Sequence, residues 1–432
     1  MKNNNELGIY IHIPFCMQKC IYCDFLSAPA DDKTKSSYVK ALINEIALSE
    51  AGLDKNVTSI FIGGGTPSAI NAEYIKDILE AVKQRYRVDG NAEITIECNP
   101  GTINSEKAYI YREAGINRIS FGLQSTDDKE LRMLGRIHTF EQFKNSLAIA
   151  RNAGFTNINI DLMSALPGQT IESFTRVLKE AVSLNTEHIS VYSLIIEEGT
   201  RLYDNIDNYP DIPDDDDDRK MYALTKEILG QAGYERYEIS NYAKAGYECK
   251  HNLKYWDRTD YIGFGIGAAS LCNHKRYTNI SDINNYIKAL CVEYADNKES
   301  NKECIVENIK NIQETLKNSL EIKNNCQDLK ENIEVLTLED EMAEYMFLGL
   351  RKSAGIDICD FKDIFGKDIY SVYKEQIKDN IAKGLLWQNG TRIALTDRGI
   401  DISNTVMRRT YRREQEAVLY KRRLCTRLPR IK

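Results

Sequence analysis

No stretch of this 432-residue chain approaches the roughly 20 consecutive apolar residues that span a bilayer. A leader pattern is missing too: Met1 to Glu6 is polar, and the apolar run after it is only strand-sized before Pro14 and Cys16 interrupt it. The expected location is the cytosol, with no transmembrane segment. Positive charge is in short supply. Lys and Arg number 57 against 64 Asp and Glu, a net charge of −7, which argues against a nucleic-acid partner, since phosphate binding needs a basic surface. The chain also lacks a second close group of cysteines. Beyond one triplet, Cys98, Cys249, Cys272, Cys291, Cys304, Cys326, Cys359 and Cys425 are scattered. In a reducing compartment these read as small buried hydrophobes rather than disulfide partners.

What is present is an alternation of short β-branched runs and helical patterns, the signature of βα units on a parallel sheet. Strands are expected at Gly8 to Ile13, Thr58 to Ile62, Ala92 to Glu97, Arg118 to Gly122, Asn157 to Met163 and His188 to Leu194. Helices are expected at Ser36 to Ser49, Ala72 to Arg85, Ser105 to Ala114, Phe140 to Asn152 and Ile171 to Ser183. Six such units make an α/β fold, a partial (β/α)6 barrel over residues 1–235, in which function collects at the C-terminal strand ends. The run Asp214 to Asp218 after Pro213 reads as a helix N-terminus. Residues 236–297, rich in Tyr and Gly, read as strands and loops closing the barrel. Residues 298–335, dominated by Asn, Lys and Glu, read as a surface insertion or linker. Residues 336–407 outline a C-terminal helical, winged-helix-like module whose role is packing, and 408–432 form a basic tail.

The triplet is Cys16, Cys20 and Cys23, a CxxxCxxC spacing directly after the first strand. Three thiolates are one too few for a closed zinc site or for every iron of a cubane cluster, and they leave one iron open to a small molecule. Phe61-Ile-Gly-Gly-Gly-Thr-Pro-Ser68 follows at the end of the second strand, where consecutive glycines let a ligand approach the main chain. With Tyr22 before the last cysteine, these segments resemble the radical S-adenosylmethionine (SAM) superfamily. That resemblance implies a [4Fe-4S] cluster on Cys16, Cys20 and Cys23, with SAM chelating the fourth iron. Its reduced cluster cleaves the sulfonium to a 5′-deoxyadenosyl radical. It also implies that Gly64, Gly65 and Thr66 meet the methionyl part of SAM and that Glu97 binds the ribose. Tyr10, Gln124, Arg136 and Asp161 match further SAM contacts of the porphyrinogen branch.

Within the superfamily the whole chain resembles the coproporphyrinogen oxidase-like group. Its oxidative decarboxylases carry CxxxCxxCxC and a longer N-terminal arm, whereas Phe25 stands at the fourth Cys position here and little chain precedes the loop. The heme-chaperone branch of the group carries HNxxYW, which appears as His251-Asn-Leu-Lys-Tyr-Trp256. A lone His is ordinarily a satisfied structural residue; in this context His251 is the candidate heme ligand. His12, His138, His188 and His274 read as structural, His12 lying close to the cluster loop. The resemblance implies heme as ligand, an acceptor hemoprotein, respiratory or other, and an electron donor such as flavodoxin or ferredoxin. The rival expectation is an oxygen-independent coproporphyrinogen III oxidase, and a more distant one a radical SAM methylase. Phe25 and HNxxYW favour the chaperone.

Overall fold

The structure, a computed structural model, describes residues 5–290 and 329–409. Six parallel strands come first: β1 (Glu6–Ile13), β2 (Asn56–Gly64), β3 (Arg87–Cys98), β4 (Arg118–Gln124), β5 (Ile158–Ser164) and β6 (His188–Ser193), hydrogen-bonded in chain order. A helix follows each of the first five, as the alternation predicts. Helix Ile171–Ser183 shows why these segments form. Thr170 and Ser173 exchange capping-box hydrogen bonds at its start, and Phe174, Val177, Leu178 and Ala181 recur at helical spacing to make the buried stripe.

Strand alternation separates core from site. One face carries Ile9 and Ile11, Ile60 and Ile62, Ile119 and Phe121, Ile158 and Ile160, all fully buried in the apolar core with the helices. Residues between them in sequence point to the opposite face. That face presents Tyr10, Phe61, Glu97, Ser120, Asp161 and Ser190 to a shared cleft, the lumen of the open barrel.

The segment 236–297 departs from its expectation. It adds strands at both edges of the sheet, and the chain between them crosses from one edge to the other. Next to β6 lies β8 (Asn241–Ala243), antiparallel to it, with β7 (Glu235–Arg236) outside β8; beyond β1 lie β9 (Tyr261–Phe264), β10 (Ala269–Cys272), β11 (Lys275–Asn279) and β12 (Lys330–Val335). The sheet stays open. Between the two edges the chain forms a helix, Lys250–Trp256, where strands and loops were expected. Its start is capped from far away: Glu93 on β3 accepts the N–H groups of Lys250 at 3.2 Å and His251 at 3.1 Å. No local residue signals such a cap.

β12 falls within the segment read as an insertion. It is an edge strand whose Ile333 and Val335 are exposed, so it carries no burial pattern to betray it. The rest of that segment, residues 298–328, and the basic tail from residue 410 lie outside the described residues. Asp214 caps helix Asp215–Gln231 through the N–H groups of Asp216 and Asp217, as its sequence predicts. Cys98, Cys249 and Cys272 are buried as expected, whereas Cys359 is exposed.

Residues 338–395 hold three main helices (Leu338–Gly349, Ile358–Phe365, Ile369–Ala382) and a three-stranded sheet of Ile356–Asp357, Leu386–Asn389 and Arg392–Leu395. They surround their own core, which includes Met346, Phe361, Ile369 and Ile393. Glu344 fastens this module to the barrel sheet. It is fully buried and accepts from Arg276 Nη1 on β11 at 2.6 Å and from Arg258 Nε at 2.8 Å.

Candidate functional site

The loop bearing the cysteines is held on both sides. At its base Cys16 N–H donates to Ala28 O and Ala28 N–H to Pro14 O. On the other flank the glycine turn is stitched to the chain entering the loop: Gly65 N–H donates to Ile13 O and Thr66 N–H to Phe15 O, both at 2.8 Å. The glycines are needed for this approach. A Cβ on Gly65 would stand 2.8 Å from Phe15 O, and Gly64 has φ +113° with its missing Cβ directed into the His12 ring. His12 braces the far end, its Nε2 lying 2.9 Å from Leu26 O and its Nδ1 3.1 Å from Tyr10 Oη. Burial pushes its imidazole down to about 4, so it is neutral.

All three cysteines are half-buried and none is in a disulfide. Two receive hydrogen bonds at sulfur: Thr66 Oγ1 donates to Cys16 and Arg136 Nη1 to Cys20, each at 3.6 Å. A hydroxyl and a guanidinium aimed at sulfur suit thiolate ligands. Among the described residues no three acidic, thiol or imidazole groups converge on a single metal ion. Thiolates that each take a different iron of a cubane do not need to converge. The donor set and its partners therefore fit a three-cysteine cluster.

The lumen cleft, ≈ 540 Å³, is lined by Tyr10, Gly64, Glu97, Asp161 and His251 among others. Glu97 is fixed at the glycine turn, where its Oε2 accepts Gly64 N–H at 3.1 Å. Asp161 accepts from Asn159 Nδ2 at 2.9 Å. Tyr10 lies over Phe61, ring centroids 6.4 Å apart. Phe25, at the position of the absent fourth cysteine, turns an apolar ring into this lumen. Arg118 enters from β4 only 2% exposed, and its charge faces Glu93 and Asp161.

The HNxxYW helix forms one wall of the same cleft. His251 is 1% exposed and uses both ring nitrogens, Nδ1 with Ser59 Oγ at 2.9 Å and Nε2 with Tyr255 Oη at 2.8 Å. Burial, aided by Lys254 and Arg118, pushes it down to about 3. Trp256 points elsewhere, packing with Tyr255, Tyr261 and Leu271 under the guanidinium of Arg351.

Of the residues expected from sequence, Tyr10, Gly64, Glu97, Asp161 and His251 thus meet in one cleft. Cys20, Thr66 and Arg136 line a neighbouring one of ≈ 320 Å³. Gly65, Tyr22 and Gln124 line neither. Gly65 serves through its backbone, Tyr22 packs beside Leu134 and Met163, and Gln124 ends β4 with φ +72°. Sequence reasoning missed Asn99, which bonds Thr66 and Arg136 together, and Arg118 and Asn159 in the lumen. For Arg118 and Asn159 the available signal was parity, since polar residues alternating with Ile on a strand mark the face turned from the core.

Residues 10–181 match the radical SAM superfamily, and residues 336–402 match the HemN C-terminal domain. Heme chaperone HemW of Lactococcus lactis is 33% identical over 92% of this chain and 95% of its own length. HemW of Bacillus subtilis is likewise 33% identical, over 92% and 97%, and that of Escherichia coli is 42% identical over 61% and 69%. Among solved structures, the coproporphyrinogen III oxidase HemN of Escherichia coli superposes with a TM-score of 0.74. It spans 94% of this chain and 90% of its own at 22% identity, a likeness of fold.

Proposed function

This chain belongs to the HemW heme chaperone family of the radical SAM superfamily, and on that premise we propose that it binds heme and passes it to an acceptor hemoprotein. It does so while carrying a [4Fe-4S] cluster and exchangeable SAM. Cys16, Cys20 and Cys23 hold the cluster, and Thr66 and Arg136 donate to two of the sulfurs. A reduced cluster of this type supplies an electron to the sulfonium of SAM. The residues proposed for SAM are Tyr10, Gly64, Glu97 and Asp161 of the lumen, Thr66 and Arg136 of the neighbouring cleft, and Gly65, Gln124 and Tyr22, which line neither. Glu97 and Asp161 offer carboxylate acceptors for ribose hydroxyls, and the glycine turn leaves backbone open to the methionyl group.

The single observation that carries the cofactor reading is the bonded unit of glycine turn and cysteine loop, with donors on Cys16 and Cys20. The heme reading rests on full-length likeness to heme chaperones. His251 is the proposed heme ligand, and to serve it must give up one of its two bonds, that of Nδ1 to Ser59 or that of Nε2 to Tyr255, so that this nitrogen can take the iron. An electron donor such as flavodoxin or ferredoxin, and a respiratory or other hemoprotein as acceptor, complete the proposal. Among the described residues no helix is long and apolar enough to cross a membrane, and the proposed place of action is the cytoplasm. Phe25 in the lumen, where a fourth cysteine would stand, weighs against the coproporphyrinogen oxidase.

Anaerobic cluster reconstitution, heme titration of wild type and His251→Ala, and a parallel coproporphyrinogen III turnover assay test this reading. Stoichiometric heme uptake that weakens in the variant, without decarboxylation, is expected. Protoporphyrinogen formation without heme uptake overturns it.

A further inference from the structure

Three side chains join the first two cysteines in an unbroken run of hydrogen bonds. Thr66 Oγ1 donates to Cys16 Sγ at 3.6 Å, and Asn99 Nδ2 donates to Thr66 Oγ1 at 2.8 Å. At its other end Asn99 Oδ1 accepts from Arg136 Nη2 at 2.9 Å, and Arg136 Nη1 donates to Cys20 Sγ at 3.6 Å. The amide has one workable orientation. A guanidinium can only donate, so Asn99 must turn its oxygen to Arg136 and its nitrogen to Thr66. Receiving that N–H on a lone pair leaves the single hydroxyl proton of Thr66 for Cys16. The backbone beneath is pinned as well, because Asn99 N–H donates to Ser68 Oγ at 3.1 Å and Asn99 O accepts from Thr102 Oγ1 at 2.7 Å.

We infer that Asn99 is a positioning residue of the cluster site, which aims the Thr66 and Arg136 donors at Cys16 and Cys20 and thereby raises the cluster's reduction potential. The inference rests on the cluster-binding reading above. Hydrogen bonds at ligand sulfur stabilise the more negative, reduced cluster, and outer groups that orient those donors tune the metal without touching it. Asn99→Asp separates this role from bulk. The carboxylate still accepts from Arg136, but toward Thr66 it has become an acceptor and draws the hydroxyl proton away from Cys16.

The experiment is an EPR-monitored redox titration of the reconstituted full-length chain, with iron and sulfide quantified. Wild type is compared with Asn99→Asp, Thr66→Val, Thr66→Ser and the Asn99→Asp/Thr66→Val double variant. The expected result is a lower midpoint potential in Asn99→Asp and in Thr66→Val, a wild-type value in Thr66→Ser, and a double variant that falls by less than the sum of the singles, because both act on one hydroxyl. A wild-type midpoint in Asn99→Asp at full iron content overturns the inference. So does loss of iron in Asn99→Asp together with an unchanged midpoint in Thr66→Val, since that pattern belongs to a purely structural residue. Wild-type chain that takes up no iron and sulfide sinks the cluster reading itself, a different failure.

Discussion

Nδ1 of His251 and Oγ of Ser59 stand 2.9 Å apart inside the barrel lumen. Tyr255 holds the other nitrogen, so the Ser59 bond competes with a metal for Nδ1 and the Tyr255 bond for Nε2. If His251 ligates heme through Nδ1, Ser59→Ala removes a competitor worth about 1 kcal/mol and tightens heme binding about fivefold. His251→Ala weakens it. Heme titrations followed at the Soret band check this, and equal affinities in all three proteins would remove His251 from the heme site.

Gly64→Ala forces a side chain onto φ +113° with its Cβ about to strike the His12 ring. Backbone strain of this kind costs on the order of 1 to 3 kcal/mol. The expected outcome is a lower denaturation midpoint together with reduced cluster content after reconstitution, read by iron analysis. A variant with the wild-type midpoint and full iron contradicts the role given to the turn.

Replacing Glu97 by Gln keeps the shape but halves the acceptors available to ribose hydroxyls and to Gly64 N–H. Hydrogen bonds to a charged acceptor contribute about 1.5 to 3 kcal/mol. SAM affinity, measured by equilibrium dialysis on the reconstituted protein, should fall at least tenfold. Retention of wild-type affinity would move the ribose away from Glu97.

Stability should fall on mild acidification. Burial holds His12 at about 4, His138 and His251 at about 3, and His188 well below its usual range. Each is neutral in the fold but protonates near 6.5 in the unfolded chain. Below 6.5 the unfolded state therefore binds more protons, and each histidine withdraws about 1.4 kcal/mol per pH unit until its folded pKa is reached. Glu45 has the opposite sign. Burial raises it to about 7, so its contribution is intact below 4.5 and lost as pH rises through 7. Asp77, Glu130 and Glu238, also raised by burial, share the sign of Glu45 and offset part of the loss; the four histidines act across the whole interval below 6.5, and urea midpoints should be lower at pH 5 than at pH 7. Equal midpoints would mean that these imidazoles are not held neutral.

Glu344→Ala removes the buried carboxylate that Arg276 and Arg258 share, leaving Arg258 its contact with Glu341. Breaking one side of such a network costs about 3 to 5 kcal/mol. Loss of cooperativity in thermal unfolding, with the module from residue 338 onward melting separately in calorimetry, is the expected signature. A single wild-type transition would show that the contact adds little.

The six parallel strands and the helices between them were legible because each states its period locally: Ile-x-Ile on strands, Phe174 to Ala181 at helical spacing. The cysteine triplet and glycine turn were legible as spacing. The HNxxYW helix was not, for its cap is Glu93, more than 150 residues away in the chain. β12 escaped because its apolar side chains face outward. Asn99 sits beside Glu97 in Ile96-Glu-Cys-Asn-Pro100, yet nothing local says that its amide spans from Thr66 to Arg136. Side chains whose partners come from other strands declare themselves only once the sheet is assembled.

His251 lines the same cleft as Glu97, Tyr10 and Asp161, which would couple the two ligands proposed for the chain. Anything that pulls the imidazole off Ser59 rearranges a wall of the cleft proposed for SAM. By thermodynamic reciprocity, the factor by which bound SAM changes heme affinity equals the factor by which heme changes SAM affinity. The lumen would then act as a ledger in which loading one molecule is read by the other.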